Sequence, residues 1–142
     1  MAGILGGAIA VAAACGGAAE SDSETVGEAE GAPDVTIDVS LKNLRFTPET
    51  IDVPAGKTVR INVVNLDATE HDMLVQNLRI EKVGEATGAH HAGATADMLV
   101  VHVTANGSGS ITFHADETGT YQFNCTIPGH KQAGMVGQMT VS

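Results

Sequence analysis

Short runs of alternating apolar and polar residues, cut at close intervals by Gly, Pro and Asn, constrain this chain more than any other feature. Val35, Ile37, Val39 and Leu41 alternate with Thr36, Asp38 and Ser40, and the same period of two returns repeatedly up to Val141. That period sends successive side chains to opposite faces, so each run reads as a strand with one face to bury. No stretch is long enough at helical periodicity to make a βαβ unit. The pattern therefore predicts an all-β domain of about eight short strands, packed as a β-sandwich.

The expected order begins with a strand over Val35 to Leu41, after which Phe46-Thr47-Pro48 bends the chain. Thr50 to Val53 and Thr58 to Asn65 flank the turn Pro54-Ala55-Gly56-Lys57 and are read as a hairpin. His71 to Gln76 gives a fourth strand. A Gly/Ala-rich excursion from about Leu78 to Ala96 follows, with room for a short helix or a flap. Met98 to Thr104, Ser110 to His114, Thr120 to Asn124 and Gln138 to Val141 complete the set, separated by turns such as Asn106-Gly107-Ser108-Gly109.

The N-terminal quarter differs in character. Residues 1–19 carry no charge, and an apolar run from Ile4 to Val11 leads into Ala12-Ala13-Ala14-Cys15. This resembles a secretory segment, with Cys15 placed like the lipid-bearing cysteine of a bacterial lipoprotein signal. No Lys or Arg precedes the apolar run, which leaves room for a start upstream of Met1. Residues 20–34 hold six acids, no base and little apolar surface, so ordering them would cost more entropy than burial returns. The chain thus divides into a signal-like segment (1–19), an acidic tether (20–34) and one folded domain (35–142). It is expected to be exported and attached to a membrane only through a lipid at Cys15. The net charge of −10 falls largely on the tether, since from Val35 onward eleven acids face seven bases. That sign repels phosphate backbones, so nucleic acid is not an expected partner. Cys15 and Cys125 lie in surroundings too different to be read as a disulfide pair.

The chemistry concentrates late in the chain. Tyr121, Phe123 and Cys125 share a parity, which turns the thiol inward behind two aromatic residues. In Cys125-Thr126-Ile127-Pro128-Gly129-His130-Lys131-Gln132-Ala133-Gly134-Met135, four residues separate Cys from His and four more separate His from Met. Pro128-Gly129 allows a sharp return and Gly134 a second close approach, so one loop can present thiolate, imidazole and thioether together. This mixture of soft and borderline donors suits copper moving between Cu(I) and Cu(II). A trigonal His₂Cys set needs a second imidazole, and His71, at a strand start after the polar stretch Asn65 to Glu70, is the candidate.

With these residues in view, the sequence resembles the cupredoxins, the blue-copper proteins of the plastocyanin, azurin and auracyanin kind. The resemblance runs from about Val35 to Ser142, through Phe46-x-Pro48, Val53-Pro54-Ala55-Gly56 and Gly119-Thr120-Tyr121-x-Phe123-x-Cys125. It implies a Greek-key β-sandwich holding one type 1 copper on His71, Cys125 and His130, with Met135 as a long axial ligand and the Glu70 carbonyl as a distant fifth contact. It further implies a monomeric one-electron carrier between redox partner proteins, not an enzyme. Members commonly carry Asn after the first histidine, whereas this chain has Asp72. An ionised Asp72 is expected to favour Cu(II) and lower the reduction potential while still bonding Thr126.

The other histidines read blandly. His90 and His91 are expected to be solvated, and His102 and His114 to be ordinary strand residues. Two rival functions stay open: a copper reductase or oxidase domain with a second copper on these histidines, and a copper storage or delivery module. The apolar side chains of Ile127, Pro128, Ala133 and Val136 are expected to rim the site as a small docking patch.

Overall fold

The computed structural model describes residues 32–88 and 91–142; the signal-like segment, most of the acidic tether and His90 lie outside these residues. The described chain forms ten strands: β1 (Val35–Lys42), β2 (Arg45–Thr47), β3 (Thr50–Val53), β4 (Thr58–Asn65), β5 (His71–Arg79), β6 (Glu81–Lys82), β7 (Met98–Val103), β8 (Ser108–His114), β9 (Gly119–Asn124) and β10 (Val136–Val141). They make two five-stranded sheets, ordered β2-β1-β4-β8-β6 and β3-β10-β9-β5-β7. Each sheet contains one parallel pair, β1 with β4 and β3 with β10. Asp34 ties the start of the domain to β4: its amide donates to the Thr58 carbonyl at 2.7 Å and its carboxylate accepts from the Thr58 amide at 2.9 Å.

The alternation does what a period of two requires. Val59, Ile61 and Val63 of β4 are fully buried while the residues between them are not. With Val39, Leu41, Ile111 and Phe113 they face Met73, Val75, Leu99, Val101, Phe123 and Met139 across the sandwich. Phe46 meets Phe123 edge to face across the interior, with ring centroids 5.0 Å apart and planes at 89°. Such edge-to-face contact sets the positive ring edge against the negative face.

Three expectations are corrected, and a fourth, left open between a short helix and a flap, is decided. The strands number ten and not about eight, because Arg45–Thr47 pairs with β1 where only a bend was expected, and Glu81–Lys82 pairs with β8. The turn at Pro54 to Lys57 forms, but no hairpin does: β3 pairs with β10 in one sheet and β4 with β1 and β8 in the other. Ile51 and Val53 bury their side chains towards the opposite sheet, so the turn is an arch between layers. β5 runs to Arg79 instead of Gln76, because a bulge between Leu74 and Arg79 carries it past Asn77, whose φ is 61°. Among the described residues the excursion after it contains no helix; it is a flap held by β6 and by a bridge between Thr87 and Ser110.

Candidate metal centre

β9 and β10 are antiparallel neighbours, and Asn124 opposite Val136 is their last pair before the loop that joins them. The loop closes on itself. The Cys125 amide donates to the Met135 carbonyl at 3.2 Å, and the Met135 amide to the His130 carbonyl at 3.0 Å. Gly129 and Gly134 take φ values of 88° and 98°, a region that costs glycine nothing and lets the chain fold back within a few residues. Cys125 and Met135 are fully buried, while His130 keeps part of its ring at the surface. β5, the neighbour of β9 on the other side, begins with His71 fully buried at the same end of the sandwich.

Three donor atoms converge there. His71 Nδ1 and His130 Nδ1 are 3.1 Å apart, Cys125 Sγ is 3.4 Å from His130 Nδ1, and Sγ is 3.9 Å from His71 Nδ1. For a triangle with these sides, the product of the sides divided by four times the area gives a circumradius of about 2.0 Å. Metal–nitrogen bonds of borderline divalent ions run about 2.0–2.1 Å and metal–sulfur bonds about 2.3 Å, so the donor set fits a metal ion without rearrangement. Among the described residues, His71, Cys125 and His130 are the one group of three His, Cys, Asp or Glu side chains close enough to hold a metal.

The imidazole of His71 is oriented from behind. Its Nε2 lies 3.0 Å from Asp67 Oδ2, and a carboxylate can only accept, so the ring proton sits on Nε2 and the Nδ1 lone pair faces the other donors. The Asn43 amide, donating to Asp67 Oδ1 at 3.1 Å, holds that carboxyl below its ordinary range, and His71 adds to the effect. Burial pushes the Cys125 thiol up, against the pull of the Asp72 amide, which donates to Sγ at 3.5 Å. A raised thiol must give up its proton to bind metal, so loading the site releases a proton.

Asp72 bonds Thr126, as the sequence led us to expect. Its Oδ1 accepts from the Thr126 amide at 2.7 Å and its Oδ2 from the Thr126 hydroxyl. His91 corrects the expectation of a solvated side chain: only 20% of its side chain is exposed, and its Nε2 lies 3.2 Å from Asp72 Oδ2 and 3.1 Å from Thr126 Oγ1. The flap folds back over this end of the sandwich and brings the ring down onto the loop. His102 bonds the Glu70 carboxylate at 3.3 Å and His114 the Thr58 hydroxyl at 3.3 Å, both as strand residues. Sequence reasoning named the converging residues and missed two of their supports. Asp67 carried a weak signal, a carboxylate in a polar loop four residues before a candidate imidazole; His91 carried none.

Residues 33–142 match the model of a family described as copper binding proteins, plastocyanin/azurin family. A copper-resistant cuproprotein, CopI, of Rubrivivax gelatinosus is 36% identical over 104 residues, covering 72% of this chain and 63% of its own length. The chain thus spans less than two thirds of that relative. Auracyanin-A of Chloroflexus aurantiacus is 33% identical over 146 residues, covering 93% of this chain and 89% of the relative. The crystal structure of dithionite-reduced auracyanin from Roseiflexus castenholzii superposes with a TM-score of 0.60 at 27% identity, over 78% of this chain and 99% of the other. The inward thiol, the buried imidazole and the ten-stranded sandwich thus agree with the sequence matches: the chain belongs to the copper-binding plastocyanin/azurin family, the cupredoxins, and its cofactor is copper.

Proposed function

We propose that this protein is an exported one-electron carrier holding one type 1 copper through His71, Cys125 and His130, with Met135 as axial donor and the Glu70 carbonyl as a distant fifth contact. The convergence of two imidazole nitrogens and one thiol sulfur on a circle of about 2.0 Å radius carries this reading. Bound there, copper supplies a one-electron couple between Cu(I) and Cu(II). The chain's own part is to fix the donors. Packed strands hold His71 and Cys125, hydrogen bonds close the loop around His130 and Met135, and burial keeps water from three of the four side chains. Donors held this firmly change position little between oxidation states, which is what rapid exchange of a single electron needs.

The partly exposed ring of His130 is the route by which electrons leave. In the same loop Pro128 and Ala133 are exposed and Ile127 half-buried, as is Val136 at the start of β10. A small apolar rim of this kind suits short-lived contact with redox partner proteins. The uncharged segment 1–19 and the acidic segment 20–34 support export, with Cys15 as lipid anchor and the acidic stretch as tether. Mass measurement of the chain from a membrane fraction tests the anchor.

The absorption spectrum of the oxidised, copper-loaded protein tests the central reading. Intense thiolate-to-copper charge transfer is expected, and Cys125→Ser should abolish it. A colourless holo-protein would refute the assignment. The likeness to a copper-resistant cuproprotein favours copper storage or delivery as a second reading. A store should lose its copper readily to a chelator, whereas a carrier should retain it through repeated redox cycles. An enzyme with a second copper should show two coppers per chain together with turnover.

A further inference from the structure

We propose that His91, reaching down from the flap, is a positioning residue for the thiolate loop: it holds the Asp72 carboxylate and the Thr126 hydroxyl in the arrangement that aims the backbone around Cys125. The inference rests on the metal-site reading above and extends it to a residue twenty positions after His71 and thirty-four before Cys125. Asp72 is fully buried and lies between the two halves, next to His71 in the chain and bonded to the residue after Cys125. The Thr126 hydroxyl is spent as a donor to Asp72 Oδ2, and an ionised carboxylate has no proton to give. The His91 Nε2, within 3.1–3.2 Å of both oxygens, must therefore be the donor. His91 Nδ1 is buried with no partner among the described residues, so the ring's polar hold on the molecule is this one shared N–H.

Three donors then converge on one carboxylate: the Thr126 amide, the Thr126 hydroxyl and the His91 ring. Hydrogen bonds to a charged acceptor are about twice as strong as neutral ones, and each draws electron density from it. With His91 in place, Asp72 presents a drained and immobile charge beside the Cys125 sulfur. Without it, the carboxylate is free to turn, Thr126 loosens, and the full negative charge favours the higher oxidation state of the metal. The flap is thereby coupled to the metal centre through hydrogen bonds that involve no metal donor atom of its own.

The test uses the full chain in copper-free and copper-loaded form, with His91→Ala, His91→Gln, Asp72→Asn and the double variant His91→Ala/Asp72→Asn. In the copper-free protein the Thr126 amide should exchange with solvent about tenfold faster in His91→Ala, the size of effect a charge-assisted bond implies. His91→Gln keeps an N–H donor and should restore part of the protection. In the loaded protein, His91→Ala should lower the reduction potential and Asp72→Asn should raise it. The double variant should match Asp72→Asn alone, because His91 acts through the carboxylate. Unchanged Thr126 exchange in His91→Ala, or an equal shift from His91→Ala in the Asp72→Asn background, would overturn the proposal. The exchange measurement needs no copper, so it stands apart from the metal-site reading; a colourless parent would defeat that reading and leave the positioning result intact.

Discussion

Replacing Gly137 with alanine places a methyl group where the ring of Phe123 already lies. Gly137 is the register partner of Phe123 across β9 and β10, one pair below the base of the copper loop. A Cβ built there meets Phe123 Cε2 and Cζ at 2.2 Å and the Glu49 carbonyl oxygen at 2.7 Å, against 3.4–4 Å for ordinary contact. The backbone of Gly137 lies outside the left-handed region, so alanine meets no conformational penalty and the effect is steric alone. Overpacking a tight core costs about 1–3 kcal/mol. The upper part of that range applies, since Phe123 is fully buried, set edge to face against Phe46, and has no free end to swing aside. For a domain of this size that lowers Tm by roughly 10 °C. The assay is thermal unfolding of the copper-free protein, followed by copper retention against a chelator, because a displaced Phe123 shifts the strand that ends in Cys125. Phe123→Leu alone should cost about 1–2 kcal/mol, yet in the Gly137→Ala background it should recover about 1 kcal/mol by vacating the space the methyl needs. Gly137→Ala melting with the parent, or full additivity of the pair, would refute the steric argument.

Three further outcomes follow from the site. Asp72→Asn keeps an oxygen for the Thr126 amide and removes one negative charge, so potentiometry should show a higher reduction potential; an unchanged or lower value contradicts the charge argument. Asp67→Ala leaves His71 Nε2 without its acceptor and should weaken copper binding about 10–100-fold in chelator competition, with the strands unperturbed by circular dichroism. In the copper-free protein, burial raises the Cys125 thiol above its usual value of 9.0. The folded state therefore keeps its proton to higher pH than the unfolded chain. The stability this contributes is present below pH 9 and is lost as pH rises through the folded value. Denaturant titration of the parent should show that slope and Cys125→Ala should lack it; equal slopes would show that the thiol is not responsible.

The residues proposed to hold copper stood out in the sequence because three of them sit in one eleven-residue stretch, where spacing and glycine placement alone restrict the geometry. His71 was legible as the imidazole at a strand start, a weaker signal that becomes decisive only when β5 is seen beside β9. The strand alternation was equally plain, since burial on one face leaves its mark on every second residue. Alternation says which face is buried and not which sheet a strand joins. Thr50–Val53 and Thr58–Asn65 flank a sound turn yet lie in opposite layers, because their partners, β10 and β1, are fixed by pairings distant in sequence.

The same limit explains Asp67 and His91, and it bears on how the site is built. Each half of the donor set is oriented by a carboxylate: Asp67 turns His71, and Asp72 pins the residue after Cys125. Both are anchored elsewhere, Asp67 by the Asn43 amide in the β1–β2 turn and Asp72 by His91 in the flap. A short sequence window shows neither anchor, since the partners lie 19–24 positions apart and meet only after the sheets have packed. Hydrogen bonds within the protein therefore help to bring His71 and Cys125 into register. The sandwich positions both carboxylates, and the carboxylates orient the side chains proposed as donors.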